Sequence, residues 1–194
     1  MNYLWDNIFR RQERQQDVKS ILSNNFLFRN LNKRELSLAQ TLVHIRRYRT
    51  GEAIFRQNES GVGMYIIGKG RVEISIFDDS TGSKQNEKEI VVTTLEPGDF
   101  FGEISLVEET SIRSATARAA EDCVLVGFFK SDLVEILDRS PEAGIKIIFR
   151  LAEVLGRRLK ETTDKISQLK KEIRMIGEMQ EVTRDPRRIH PEKN

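Results

Sequence analysis

Residues 101–117 read Phe-Gly-Glu-Ile-Ser-Leu-Val-Glu-Glu-Thr-Ser-Ile-Arg-Ser-Ala-Thr-Ala, and this stretch decides how the whole chain is interpreted. A Gly-Glu pair, Gly102 and Glu103, precedes an Arg-Ser pair, Arg113 and Ser114, with a short apolar turn between them. A planar guanidinium can bind two oxygens of a phosphate, and a carboxylate accepts a hydrogen bond from a hydroxyl group. A glycine lets the backbone approach an anion closely. The stretch therefore predicts a binding site for a phosphorylated sugar.

The same residue types suit a cyclic nucleotide, which has one negative phosphodiester with two free oxygens and a free ribose 2′-hydroxyl. The alternative is that Glu103 and Arg113 form an ordinary ion pair on a loop. The flanking sequence favours a site, because residues 91–100 alternate like a strand and end in the Pro97-Gly98 turn. Residues 115–129 predict a further strand region, rich in small and β-branched side chains.

A wider pattern accompanies this stretch. Together with Gly51-Glu-Ala-Ile-Phe55 and Met64-Tyr-Ile-Ile-Gly-Lys-Gly-Arg-Val-Glu-Ile74, it resembles the cyclic nucleotide-binding domain family from about residue 26 to residue 171. Within that family the chain is most similar to the nucleotide-binding half of the bacterial catabolite activator branch. The resemblance implies an α+β fold, in which a jelly-roll-like β-roll carries N-terminal helices and a long C-terminal dimerisation helix.

The resemblance also implies roles for individual residues. The family residue matching Glu103 takes the ribose hydroxyl, and those matching Arg113 and Ser114 take the phosphate. Thr162 and Thr163 match two adjacent hydroxyl residues that reach the adenine amino group, one from each subunit of a dimer. The predicted ligand-binding set is Gly102, Glu103, Ile104, Ser105, Arg113, Ser114, Ala115, Arg158, Thr162 and Thr163.

The expected ligand is cAMP. Guanine-selective members of the family often have Thr directly after the phosphate arginine, where this chain has Ser114, so cGMP is the less favoured ligand. The other interpretation of Thr162 is a tolerated polar residue on a helix-pairing surface.

Composition limits the remaining functions. The 194 residues are 38% hydrophobic and 32% charged, with a formal net charge of +2, which gives no general attraction to nucleic acid or membrane. The single cysteine, Cys123, predicts a buried strand residue and no disulfide. No apolar run approaches the roughly 20 residues of a membrane span, and no export signal is evident, so we expect a cytoplasmic protein.

The sequence predicts no enzyme. It contains no Ser-His-Asp set and no paired metal ligands, and its two histidines, His44 and His190, lie far apart. We therefore expect no catalytic residues and no metal site.

Periodicity predicts the organisation of the chain. Residues 1–25 form an N-terminal helical extension, residues 26–140 the β-roll domain with flanking helices, residues 141–182 a long helix that serves as lid and dimer seam, and residues 183–194 a disordered tail. Residues 25–48 have a helical period, whereas residues 50–129 have a period of two with glycine turns. Residues 78–88 are wholly polar and predict an exposed loop. Ser131 is the expected cap of a short helix, and Pro141 opens the long one.

The long helix has a heptad pattern. Ala152, Leu159, Ile166 and Ile173 occupy one seam position, and Ile148, Leu155, Thr162, Leu169 and Ile176 occupy the other. Such a pattern favours a parallel two-stranded coiled coil, so we expect a homodimer through residues 148–176. The alternative is a helix packed on its own domain. Lys165 and Lys170 would face each other between subunits, so charge does not assist the pairing.

The expected function is that of a stand-alone cAMP receptor that signals to a separate effector protein through ligand-induced movement of its C-terminal helix. Transcription-factor relatives have a DNA-binding domain after the long helix, but only residues 177–194 follow Ile176 here, so we expect no DNA binding. The apolar side chains of Tyr3, Leu4, Trp5, Ile8 and Phe9 are the candidate surface for the effector, and a membrane anchor is the weaker alternative. A different class of function is a nucleotide-independent dimerisation or scaffold module with the same fold.

Overall fold

The computed structural model of the protein describes residues 18–78 and 88–184. The helices in these ranges are α1 at residues 18–24, α2 at Lys33–Leu42, α3 at Lys130–Arg139 and α4 at Pro141–Arg184, with a 3-10 helix at Glu103–Leu106. The strands are β1 His44–Tyr48, β2 Ala53–Phe55, β3 Gly63–Lys69, β4 Val72–Asp78, β5 Lys88–Leu95, β6 Phe100–Phe101, β7 Thr116–Ala119 and β8 Cys123–Phe129. The predicted N-terminal apolar face, most of the predicted exposed loop, and the tail beyond residue 184 lie outside the described residues.

The strands form two four-stranded antiparallel sheets. The first has the order β1-β8-β3-β6 and the second the order β2-β7-β4-β5. Buried side chains from both sheets make one core: Ile67, Phe101, Cys123 and Leu125 from the first, and Val72, Ala117 and Ala119 from the second. This two-sheet arrangement is the β-roll that the glycine-punctuated, period-two pattern predicts. Cys123 is buried at the start of β8, as predicted.

Helical segments cover the outer face of the first sheet. The rings of Phe28 and Phe128 meet edge to face, with centroids 5.3 Å apart. Gly68 allows α1 to come close, because a Cβ at that position would lie 2.5 Å from Cδ1 of Ile21. The core of this part of the molecule is therefore apolar on both sides of the first sheet.

Two sequence predictions about helix boundaries were wrong in detail. The helical period assigned to residues 25–48 ends at Leu42, and His44–Tyr48 is strand β1, which pairs with β8 in antiparallel register. Backbone hydrogen bonds to β8 decide the conformation of His44–Tyr48. This pairing joins distant parts of the chain, so a local periodicity cannot predict it. Ser131 is not the cap of α3: the helix begins at Lys130, and the carboxylate of Asp132 accepts from the N–H of Phe129 at 2.8 Å.

Helix α4 begins at Pro141, as predicted, and continues through Arg184, two residues beyond the predicted end. The chain forms two compact units, residues 1–150 and residues 151–194. The first ten residues of α4 belong to the first unit. Nζ of Lys146 donates to both carboxylate oxygens of Glu35 in α2, at 2.7 and 2.9 Å, and the Arg150 guanidinium lies 4.9 Å from the ring centroid of Phe26. These two contacts attach α4 to the N-terminal helical segments.

The described part of the second unit is the remainder of α4. Its seam residues Leu159, Ile166, Leu169, Ile173 and Ile176 are between 45% and 69% exposed in the single chain. An apolar stripe left exposed over this length is typical of a helix that pairs with another helix. Among the described helices, including α4, none has the length and apolar character needed to cross a membrane.

Candidate functional site

The cassette of residues 101–117 begins with a sharp change of backbone direction. Strand β6 ends at Phe101, Gly102 takes the left-handed conformation with φ +78°, and the 3-10 helix starts at Glu103. A side chain at Gly102 would be strained in that conformation. It would also lack space, since a Cβ there would lie 2.5 Å from Nη1 of Arg113. Glycine at this position therefore brings the backbone directly against the arginine.

Backbone hydrogen bonds to a distant turn hold Arg113 in place. Its N–H donates to the carbonyl oxygen of Glu59 at 2.8 Å, and its own carbonyl oxygen accepts from the N–H of Asn58 at 2.8 Å. Asn58 takes a left-handed conformation with φ +69°, which asparagine tolerates better than most residues. Gly61 continues the same turn and pairs with Ser111 through a 2.9 Å hydrogen bond.

The side chain of Arg113 is directed inward, and the residue is only 6% exposed. Nη1 donates to the carbonyl oxygen of Gly102 at 3.2 Å and to Oγ of Ser105 at 3.0 Å. Nη2 donates to the carbonyl oxygen of Gly63 at 2.7 Å. Among the described residues, the buried Nε of Arg113 has no hydrogen-bond partner. A buried N–H without a partner is costly, so an added acceptor at this N–H would be stabilising.

The electrostatics around Arg113 favour an anion. Burial lowers the pKa of the Arg113 guanidinium below its ordinary value. Tyr65, Glu103 and Glu59 act in the opposite direction without cancelling the effect of burial. An arginine in a protein nevertheless stays protonated. The site therefore keeps a desolvated positive charge, which a phosphate oxygen would stabilise through a charge-assisted hydrogen bond.

Glu103 and Ser105, both in the 3-10 helix, lie close to the Arg113 guanidinium. Glu103 is 4% exposed and close enough to act on the charge of Arg113. Oγ of Ser105 lies 2.8 Å from Oγ of Ser111, which ties the 3-10 helix to the segment that leads into Arg113. A carboxylate beside a guanidinium can accept from a sugar hydroxyl while the guanidinium takes a neighbouring phosphate.

The other predicted residues have different positions. In the cassette, Ile104 and Ser114 are exposed and Ala115 is half-buried. Thr162 and Thr163 are exposed on the second unit, which also contains Arg158. Their hydroxyls donate to backbone carbonyl oxygens one turn earlier, at 2.8 Å and 2.9 Å. Of the predicted residues, the structure thus brings together Gly102, Glu103, Ser105 and Arg113. With Gly61, Gly63 and Phe55, which also contact Arg113 or approach it closely, they form a cradle around the guanidinium.

The sequence interpretation missed several residues of the cradle. The period-two pattern of residues 50–129 includes Gly61 and Gly63 only among its glycine turns, and it includes Phe55 only as part of the β-roll. A Cβ at Gly61 would clash with Oγ of Ser105 and approach Cζ of Arg113 to 3.0 Å. Gly63 provides the shortest carbonyl contact to Arg113. Two glycines in Gly61-Val-Gly63 are the one signal that could have identified a close approach here.

No group of three or more His, Cys, Asp or Glu side chains that could hold a metal ion occurs within residues 18–78 and 88–184. The cradle instead has the buried Arg113 cation, neighbouring carbonyls and hydroxyls, and the nearby carboxylates of Glu103 and Glu59. The fold and the site together define a β-roll with a buried, desolvated guanidinium as its candidate anion site.

The comparisons with known proteins agree with this class. Residues 45–140 match the cyclic nucleotide-binding domain family, and the chain belongs to that family. It is 34% identical over 135 residues to the cyclic AMP receptor protein of Thermus thermophilus. It is 31% identical over 126 residues to the cAMP-activated global transcriptional regulator CRP of Salmonella typhimurium.

The similarity covers part of each relative. The aligned regions span 70% and 65% of this chain but 57% and 55% of the two relatives, so the chain spans little more than half of their length. The crystal structure of the Thermus thermophilus catabolite activator protein superposes with a TM-score of 0.64 and 32% identity, covering 75% of this chain and 63% of that one. These matches establish the β-roll fold that the sequence predicts.

Proposed function

We propose that the chain is a cyclic nucleotide receptor and that its ligand is cAMP. The observation that carries this proposal is the buried Arg113 guanidinium, which has an unpartnered Nε among the described residues and a left-handed glycine beside it. The names of the relatives, a cyclic AMP receptor protein and a cAMP-activated regulator, support cAMP in particular.

The proposed contacts follow the chemistry of the cradle. Arg113 and Ser114 bind the phosphate oxygens, and backbone N–H groups in the turn of residues 102–106 assist them. The carboxylate of Glu103 accepts a hydrogen bond from the ribose 2′-hydroxyl. Ile104 and Ala115 contribute apolar surface beside these groups. The phosphate is thus assigned to hydrogen-bond donors, the ribose hydroxyl to an acceptor, and the apolar surface to apolar side chains.

Calorimetric titration of the full chain with cAMP and with cGMP tests the proposal. We expect saturable binding of one nucleotide per chain and a higher affinity for cAMP. Absence of binding to either nucleotide would favour the nucleotide-independent scaffold, for which the exposed apolar stripe of α4 is the supporting observation. Tighter binding of cGMP than of cAMP would still support a cyclic nucleotide receptor, but it would contradict the assignment of adenine as the base.

Thr162 and Thr163 are proposed to recognise adenine. Each hydroxyl donates its hydrogen to a carbonyl oxygen of its own helix, so its lone pairs remain able to accept. The adenine 6-amino group is a donor, whereas the corresponding guanine oxygen is an acceptor and would need a hydroxyl hydrogen. The sequence resemblance suggests that one hydroxyl comes from each of two copies of the chain.

Changing both Thr162 and Thr163 to Ala tests this assignment. Two neutral hydrogen bonds are worth about 0.5–1.5 kcal/mol each, so cAMP affinity should fall roughly five- to a hundredfold. Cyclic inosine monophosphate lacks the amino group, and its affinity should change much less. Equal losses for both nucleotides in calorimetry would mean that the threonines affect the helix rather than the base.

We also propose that the receptor is a homodimer through residues 148–176 and that a separate effector protein responds to movement of α4. A receptor transmits information only if its partner distinguishes the ligand-bound state from the free state. Pull-down of partners with the full chain, in the presence and absence of cAMP, tests this output. A partner captured equally in both conditions would contradict ligand-dependent signalling.

A further inference from the structure

The faces and the edge of the Arg113 guanidinium have different neighbours. All its N–H bonds lie in the guanidinium plane, so the carbonyl and hydroxyl acceptors meet it at the edge. One face lies over the ring of Phe55, with Cζ of Arg113 4.0 Å from the ring centroid. A cation–π contact therefore covers a surface that the hydrogen bonds do not reach.

The ring of Phe55 is itself fixed by other aromatic rings. Its centroid lies 5.7 Å from that of Phe101 and 6.3 Å from that of Tyr65, and these two rings stack on each other at 5.7 Å. The backbone of Phe55 belongs to β2 and is in register with Ala117 of β7. The ring facing Arg113 is thus held both by its strand and by its aromatic neighbours.

A neutral ring at this position has a specific advantage over a carboxylate. A carboxylate against the guanidinium would occupy N–H groups and cancel the positive charge that an anionic ligand needs. The face of an aromatic ring stabilises the cation and leaves every N–H at the edge. Restricting the long arginine side chain before binding also reduces the rotamer freedom that is lost on binding.

We propose that Phe55 is a positioning residue of the phosphate site, whose ring holds the Arg113 guanidinium in one plane so that the Nε edge stays available to an anionic oxygen. The effect on nucleotide affinity rests on the proposed function. The orientation of Arg113 does not, because it is a property of the free protein. Phe55 lies in β2, outside the cassette, and the sequence patterns assign it no role in binding.

The first measurement is the affinity for cAMP of Phe55→Leu and Phe55→Tyr. Leu keeps an apolar side chain but removes the π face, so binding should weaken roughly threefold to thirtyfold. Tyr keeps the π face and should restore affinity to within about twofold of the parent. Phe28→Leu makes the same change against Phe128 on the outer face of the first sheet. The Phe28→Leu variant controls for the loss of core packing. Its melting temperature should fall, but its affinity for cAMP should not change.

The second measurement is the side-chain NMR spectrum of Arg113 without ligand. In the parent and in Phe55→Tyr, the guanidinium protons should show a ring-current shift, which Phe55→Leu should remove. Unchanged Arg113 signals in Phe55→Leu would overturn the proposal. Loss of the ring-current shift with unchanged cAMP affinity would also overturn it, because the ring would then contact Arg113 without preparing it for the anion. If the parent chain bound no cAMP, the proposed function would fail, and the spectra alone would decide whether Phe55 orients Arg113.

Discussion

At the scale of single residues, the side chain of Arg113 has neutral direct partners. Its hydrogen bonds go to two backbone carbonyl oxygens and one hydroxyl, and its face lies over the ring of Phe55. Neutral partners hold a guanidinium in place and leave its charge uncancelled, which differs from an ordinary ion pair on a loop. Burial has the largest effect on the pKa of Arg113 and lowers it, while Tyr65, Glu103 and Glu59 act in the opposite direction.

The first prediction concerns Arg113→Ala. Removing one partner of a buried charge pair costs about 2–5 kcal/mol, and each tenfold of affinity corresponds to about 1.4 kcal/mol, so cAMP affinity should fall at least tenfold. Arg118→Ala is the matched control, because Arg118 lies in the neighbouring β7 and pairs with Glu89 at the surface. Calorimetry should find the control close to the parent. Retention of cAMP affinity within threefold in Arg113→Ala would show that the phosphate binds elsewhere.

The cassette residues could be predicted from the sequence because their types and spacing are local. The residues that complete the cradle from outside residues 101–117 could not be predicted in this way. Gly61 and Gly63 approach Arg113 only because the turn after β2 pairs with the segment before β7, and Phe55 faces the guanidinium because of the packing of β2. Such contacts depend on tertiary pairing, which has no local pattern.

At the scale of elements, the junction of α2 and α4 has a buried carboxylate. Glu35 is 5% exposed. It accepts from the N–H of Asn32 at 2.7 Å and from Nζ of Lys146. Burial alone would raise the pKa of Glu35. The hydrogen bonds from Lys146 and Asn32 and the charge of Lys146 outweigh it and keep the pKa below its ordinary value of 4.5.

The second prediction concerns Lys146→Met, which leaves Glu35 without its cation. Loss of one partner of a fully buried pair costs about 3–5 kcal/mol, but Lys146 is 37% exposed and solvent screens it, so we expect about 1–3 kcal/mol. Arg139→Met breaks the exposed pair with Glu135 in α3 and should cost less than about 0.5 kcal/mol. Urea denaturation at neutral pH measures both. Equal stabilities of the two variants would contradict a structural role for the Glu35–Lys146 pair.

The third prediction gives the pH dependence of the same pair. The unfolded chain binds a proton at Glu35 near pH 4.5, whereas the folded chain binds it only at lower pH. The contribution of the pair to stability is therefore complete above that value, and it is lost as the pH falls through the lowered pKa. Below pH 4.5 the difference in unfolding free energy between the parent and Lys146→Met should shrink. A difference that grew on acidification would contradict the sign of the shift.

Elements were predicted well where the pattern was long and poorly where pairing decided the conformation. The period-two pattern with glycine turns correctly predicts the β-roll. Pro141 and the heptad pattern that follows it correctly predict the long helix α4. Strand β1 was assigned to a helix because Leu42, Val43 and Ile45 continue the helical spacing. The conformation of His44–Tyr48 is decided by β8, a strand almost eighty residues later in the chain.

At the scale of the whole molecule, the apolar stripe of α4 is a long apolar surface that the single chain leaves exposed. Apolar residues at seam spacing, such as Ile166, Leu169 and Ile173, stay in contact with solvent. Burial of apolar surface is worth about 25 cal/mol per Å², so two copies of the chain would gain stability if they paired these stripes as proposed. Pairing would also bring together threonines from two chains at the position where adenine recognition is proposed.

The fourth prediction tests this pairing. Changing both Ile166 and Leu169 to Lys places like charges in the seam and should yield a monomer by light scattering. Changing Ser167 and Gln168 to Lys adds the same charge to the same turn of α4 but outside the seam, and this control should keep the mass of a dimer. A dimeric mass for the seam variant would mean that the subunits associate through another surface.

The central claim is that Arg113 binds the phosphate of a cyclic nucleotide, and the structure of the chain crystallised with cAMP tests it most directly. We predict a phosphate oxygen about 2.7–2.9 Å from Nε of Arg113, the length of a charge-assisted hydrogen bond. The carbonyl contacts of Arg113 to Gly63 and Gly102 should persist or lengthen slightly. A nucleotide whose phosphate lies away from Arg113, with Nε still unpartnered, would contradict the account.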